Sequence, residues 1–350
     1  MRGGWPRRLK RLLIAMLIGI AISAAAFEVG LRIAFAHLGE LPLAATEETS
    51  VAVLDREDRL LRAFTTADGR WRLPVEVGDV DPRYLAMLIA FEDKRFWSHP
   101  GVDPMAMTRA AGQLVRHGRI VSGGSTITMQ VARLIDGPKS RSATTKFWQM
   151  VRALQLERRY SKADILRLYL RLAPFGGNIE GTRAASLAYF GKEPRHLSIG
   201  EAALLVALPQ SPRLRRPDRH ATLARSARDR VLVRARHAGV VSAEDHERSK
   251  GEPVPDLRLE FPKLAAHLAE AERAHAPRTS VHRLTLDARL QRDLERLARD
   301  HVRPMGPRLS AAILALDHTT GEVLAHVGSA GYLDDDRFGA IDMTRAVRSP

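Results

Sequence analysis

Glu92-Asp93-Lys94-Arg95-Phe96-Trp97-Ser98-His99-Pro100-Gly101 is the stretch on which the reading of this chain turns. Asp81-Pro82-Arg83 opens an apolar run from Tyr84 to Phe91 ahead of it, with proline at an early helical position where its missing N–H removes no bond. A helix is expected over that run, ending at the acidic pair. The Glu92 carboxylate then leaves a buried helix just before a turn. Burial disfavours the charged form of a carboxylate, which raises its proton affinity and suits it to general-base work. The competing reading pairs Glu92 and Asp93 with Lys94 and Arg95 on a solvated surface. An isolated Glu-Asp pair favours that reading, but the spacing Glu-Asp-x-x-Phe-x-x-His-x-Gly ties Phe96, His99 and Gly101 into one pattern and favours a site. His99-Pro100-Gly101 is a turn, in which His99 is expected to shape the loop rather than bind metal.

Downstream, Met105 to Val115 reads as a second helix. Its Met105, Met107, Leu114 and Val115 are expected in a core, with lipid contact as the alternative. Ser122-Gly123-Gly124-Ser125-Thr126 is a glycine-rich loop feeding a helix from Ile127 to Ile135, with Ser125 as its N-cap. Amides and hydroxyls at such a loop suit an anion. Thr144 to Tyr160 is helical by periodicity, and Lys146 and Gln149, three apart, share one face of it. Ser161-Lys162-Ala163-Asp164 resembles a capping box opening a helix to about Leu172. Pro174 to Asn178 is a loop, Thr182 to Phe190 a helix, and Ser198 to Leu208 an apolar helix ended by Pro209. After Val281 the character changes. Ala311 to Asp317, a His318-Thr319-Thr320-Gly321 turn and Glu322 to Val327 read as a β-hairpin. The chain is therefore expected to be mainly α. The expected domains are a basic tail and anchor (1–39), a stalk (40–60), a helical domain (61–250), a linker (251–280) and the opening of an α+β unit (281–350). That last piece alone is too short to close a core.

The N-terminus supplies a location. Arg2, Arg7, Arg8, Lys10 and Arg11 precede an uncharged run from Leu12 to Phe27, about 24 Å as a helix against a bilayer core of about 30 Å. Glu28 and Arg32 then pair at i,i+4, and the pattern continues to about Leu38, long enough to span. The basic flank puts the N-terminus in the cytoplasm; a signal peptide cleaved near Ala24-Ala25-Ala26 is the rival. Either way the body of the chain is expected outside the cytoplasm. A net charge of +15 calls for an anionic partner, and that location leaves a membrane surface or a phosphorylated substrate rather than nucleic acid. There is no cysteine, which excludes disulfides and thiolate chemistry. No phosphate-binding Walker loop, zinc-ligand spacing or dinucleotide fingerprint occurs.

The decisive stretch resembles the first motif of the peptidoglycan glycosyltransferases, the family-51 glycosyltransferases of class A penicillin-binding proteins. Gly124-Ser125-Thr126-Ile127-Thr128-Met129-Gln130 resembles their second motif, and Lys146-Phe147-Trp148-Gln149 their third. The fourth and fifth blocks are Pro174 to Lys192 and Glu201 to Pro212, which read as scaffold and groove rather than chemistry. The similarity covers about residues 60 to 240. It implies a lysozyme-like helical fold after a transmembrane helix, and the start of a transpeptidase domain after it. It implies catalytic roles for Glu92, Lys146 and Gln149, and substrate contacts for Asp93, Phe96, His99, Gly124, Ser125, Thr126, Gln130, Arg133 and Thr145. No metal ligand is assigned, with a divalent cation such as Mg2+ as an optional cofactor. The implied partners are lipid II, the growing lipid-linked strand, the bacterial inner membrane and other cell-wall synthesis proteins.

Some residues depart from the family pattern. Thr145 stands where arginine is usual, Gln149 where a second carboxylate is usual, Met129 for glutamine, Arg133 for lysine and Arg171 for asparagine. Met129, Arg133, Gln149 and the run Arg152 to Glu157 resemble one subgroup, whereas Arg171 has no account in the sequence. No serine is followed by lysine three residues on, so acylation by penicillin is not expected. A lytic enzyme of the lysozyme type and a catalytically weak scaffold are the rival functions.

Overall fold

The computed structural model describes residues 7–42, 48–118, 124–137, 140 and 142–347. Ser122 and Gly123 of the glycine-rich loop, the first six residues, part of the expected stalk and Arg348 to Pro350 lie outside the described residues, as does the side chain of Leu114. Twelve helices and eight short strands are described: α1 (Arg7–Leu38), β1 (Ala52–Leu54), β2 (Leu60–Ala63), β3 (Trp71–Arg72), α2 (Pro82–Glu92), α3 (Pro104–His117), α4 (Ile127–Ile135), α5 (Ala143–Arg159), α6 (Lys162–Leu172), β4 (Pro174–Gly176), β5 (Ile179–Glu180), α7 (Thr182–Phe190), α8 (Ile199–Ala207), α9 (Ala221–His237), α10 (Ala243–Lys250), α11 (Ala266–His275), β6 (Val281–Arg283), α12 (Ala288–Val302), β7 (Ile313–Leu316) and β8 (Val323–Val327). The fold is mainly α, as expected, and divides into two compact units, Met1–Ala45 with Arg95–Ile165 and Thr46–Lys94 with Leu166–Pro350.

In the first unit, α1 is long and apolar enough over Arg11–Leu38 to cross a membrane, with a mean hydropathy of 2.4. Its last turns pack on α5, the helix expected to carry Lys146 and Gln149. His37 stacks on Trp148 at 4.9 Å. Further back along α1, Glu28 takes Arg158 at 2.5 Å as well as Arg32 at 3.0 Å, so the two helices run antiparallel. Arg152, itself buried, joins them: its Nε donates to Asp136 at 3.0 Å, and Nη2 to the Leu38 carbonyl at 3.1 Å. On α3, Met105 and Val115 are 66% and 88% exposed, so the expected core role is wrong for them. They fall on the outer face of the helix.

In the second unit, the Asp81 side chain caps α2 by accepting the Arg83 amide at 2.8 Å. α2 buries Tyr84, Met87, Leu88 and Ala90 against α8 and α9. Ser198 and Glu201 form a capping box at the start of α8. The expected loop at Pro174 contains a strand, β4, paired antiparallel with β5, and β3 runs parallel to β5 on the other side. Arg171 gains its account here: it is ion-paired with Glu76 and donates from Nε to the Val75 carbonyl at 3.2 Å, so it ties α6 to the segment before α2.

The expected hairpin is present as β7–β8, with Ala315 opposite Ala325. The described residues of the regions read as stalk and linker contribute strands and a helix. β1 lies between β2 and the parallel β6, with Val53 opposite His282. Val53, Leu61, Ala265, Ala269, Leu286 and Ala288 form one buried cluster. The C-terminal segment thus completes its core with strands from residues 52–63 and with α11, inside the expected linker.

Candidate active site

Glu92 is the last residue of α2 and is half-buried. Its Oε1 accepts from Gln210 Nε2 at 2.8 Å. Gln210 ends the short helical turn that follows α8, and its Oε1 accepts from Arg215 Nη1 at 3.0 Å. The same Arg215 nitrogen donates to the Ala207 carbonyl at 2.7 Å, which fixes the guanidinium against the end of α8. Burial holds Arg215 below the usual arginine range; Arg230 adds repulsion, and Glu92 works in the opposite direction. From α9, Arg234 donates to the Phe91 carbonyl at 2.9 Å and lies over the Phe91 ring, which ties down the last turn of α2. Asp93 caps α2 and is buried. Gln210, Arg215 and Arg234 were not singled out from the sequence. Gln210 sits in the fifth block, so its signal was visible but read as scaffold.

The other ten expected residues belong to the first unit. Phe96 and His99 are buried, with Phe96 edge-on to His99 at 6.5 Å and under Lys162 Nζ at 4.6 Å. His99 Nδ1 accepts the Gly101 amide at 3.1 Å, and the His99 carbonyl accepts from Lys162 at 2.7 Å. Lys162 also meets Glu157 at 2.6 Å, and Thr128 donates to the same carboxylate oxygen at 2.6 Å. Lys162 had no expected role; here it binds the first motif's loop to α5 and α6.

The second motif corrects one expectation. Thr126, not Ser125, caps α4: its hydroxyl accepts the Met129 amide at 3.1 Å and donates to the Gly101 carbonyl at 2.6 Å. Ser125, released from capping, accepts a hydrogen bond from Lys146 Nζ. Burial lowers the pKa of Lys146, and Arg133, exposed on α4, adds repulsion. Ser125, Lys146 and Arg133 thus make one positively charged corner. Gly124 lies close to α3, where a Cβ would stand 3.4 Å from Met107 Cα. Gln130 and Gln149 are half-buried on α4 and α5. The Thr145 hydroxyl lies 2.9 Å from that of Ser142, the residue that caps α5, so where the family has arginine this chain has a capping cluster.

Among the described residues a divalent cation finds no donor set of the usual kind. Gln149 offers a neutral amide in place of a carboxylate, and among the described residues no group of three or more His, Asp or Glu side chains is placed to hold a metal.

The chain thus holds a carboxylate at a helix end in one unit and a lysine–hydroxyl corner in the other. Residues 57–236 match the transglycosylase family, and the chain belongs to that family. It is 46% identical over 313 residues to penicillin-binding protein 1C of Escherichia coli K12, covering 89% of this chain and 40% of that protein. Penicillin-binding protein 1A of Aquifex aeolicus is 36% identical over 193 residues, 55% of this chain and 27% of that one. A crystal structure of penicillin-binding protein 1A from Haemophilus influenzae is 19% identical, with a TM-score of 0.35 over 78% of this chain and 33% of that chain. The 1C type is the subgroup that Met129, Arg133 and Gln149 resemble. The chain spans less than half the length of these relatives.

Proposed function

We propose that this chain polymerises lipid II into peptidoglycan glycan strands, with Glu92 as general base. The observation that carries the reading is the half-buried Glu92 carboxylate, fixed through Gln210, in a chain of the transglycosylase family. Glu92 takes the proton of the 4-hydroxyl on the GlcNAc of an incoming lipid II. The freed oxygen attacks the anomeric carbon of the growing strand, the bond to the pyrophosphate breaks, and the configuration inverts from α to β. Lys146 and Arg133 offset the charge that develops on the departing undecaprenyl pyrophosphate. Ser125 positions the ammonium. Gln149 leaves the corner without a second carboxylate, so Glu92 is the one acid of the first and third motifs' pair.

α1 anchors the enzyme with its basic flank in the cytoplasm and its body in the periplasm. Trp97, Met105, Val115 and Phe147 in the first unit are exposed, as side chains in contact with lipid would be. Purified chain mixed with lipid II, with and without the phosphoglycolipid inhibitor moenomycin, tests the reading. Glycan strands that disappear with inhibitor support it. Muropeptides released from finished peptidoglycan would favour a lytic enzyme, and lipid II bound but not polymerised would favour a scaffold.

A further inference from the structure

We propose that Gln210 is a positioning residue for Glu92, and that Arg215 determines which way its amide points. The inference rests on Glu92 being the general base. A glutamine side chain presents an acceptor on one side and a donor on the other. Arg215 can only donate, so its 3.0 Å bond obliges the Gln210 oxygen to face it. The amide nitrogen is then turned to Glu92, at 2.8 Å. Arg215 holds this orientation because the Ala207 carbonyl holds Arg215.

An ionised carboxylate accepts hydrogen bonds, and a donor aimed at it favours the ionised form. The Gln210 amide therefore does two things: it fixes one carboxylate oxygen of Glu92 and favours the state that can take a proton. Within this unit the charged and titratable groups about Glu92 include Asp93 and Lys94 next in the chain, Tyr84 on α2, Arg215 after α8, and Arg230 and Arg234 on α9. Gln210 is neutral among them, so replacing it by methionine tests the hydrogen bond without changing the charge.

The test uses the detergent-solubilised full chain in four forms: wild type, Gln210→Met, Gln210→Glu and Arg215→Met. Each is assayed for lipid II polymerisation against pH, and the Glu92 carboxyl carbon is titrated by NMR, with Glu92→Gln to assign its signal. Gln210→Glu keeps the shape and the bond to Arg215 but has no donor when ionised. Both Gln210 variants are expected to lower kcat about tenfold or more with little change in KM. The acid limb of the rate profile and the NMR midpoint of Glu92 should both move to higher pH. Arg215→Met should move them the same way by less. A purely structural Gln210 would lower the melting temperature of the methionine variant and leave the midpoint in place. An unmoved midpoint in an active chain overturns the inference alone. A wild-type chain that leaves lipid II untouched overturns the base assignment, and with it the catalytic meaning of Gln210.

Discussion

At the scale of the residue, Gly101 shows why the first motif ends in glycine. Its φ is +94°, and a Cβ there would stand 2.8 Å from the Ala153 carbonyl oxygen of α5. Gly101→Ala should destabilise the first unit by about 2–4 kcal/mol, from backbone strain plus the clash, read as a lower thermal midpoint. An unchanged midpoint would mean that α5 yields readily. Lys146 carries a pH prediction. Because burial lowers its pKa, its ammonium loses its proton at lower pH than an ordinary lysine would. The alkaline limb of kcat/KM, which reports the free enzyme, should therefore fall before the ordinary lysine range. Lys146→Arg, charged throughout, should shift that limb upward even as it slows turnover. A limb that stays in place in the arginine variant would remove Lys146 from the charge-offsetting role. Glu92, Ser125 and Lys146 were visible as candidates in the sequence because their motifs are local. The Gln210 bond was not, since it joins residues 118 apart.

At the scale of the element, α5 does more than present Lys146 and Gln149. Arg152 on this helix is buried with Asp136, and its guanidinium also donates to carbonyls at the end of α1. Removing one member of a buried ion pair strands the other's charge. Arg152→Ala should therefore cost the first unit about 3–5 kcal/mol, measurable by denaturant unfolding of the full chain in detergent. A loss within experimental error would show that water replaces the guanidinium. The helix boundaries of α2, α4, α5, α7 and α8 were readable from caps and apolar periodicity. The cap of α4 was misassigned by one residue, because Ser125 and Thr126 are both good caps. What decides between them is the Gly101 carbonyl, 25 residues back, which takes the Thr126 hydroxyl.

At the scale of the whole molecule, the sequence reading erred where pairing is most distant. β1 and β6 run parallel across more than 200 residues, and nothing local to either strand announces the partner. The segments read as stalk and linker contribute Val53, Ala265 and Ala269 to the core that the last 70 residues could not close alone. Truncation after residue 250 should expose Val53 and Leu61 and lower the thermal midpoint of what remains; an unaltered midpoint would restore the simpler domain plan. That Glu92 is the base of a glycan polymerase is tested by lipid II polymerisation with this chain and its Glu92→Gln variant. Glutamine keeps the shape and can still accept the Gln210 hydrogen bond, so folding should be preserved. At equal melting temperatures the wild type is expected to give strands and released undecaprenyl pyrophosphate, and the variant neither. A folded variant that polymerises lipid II at the wild-type rate would contradict the base assignment.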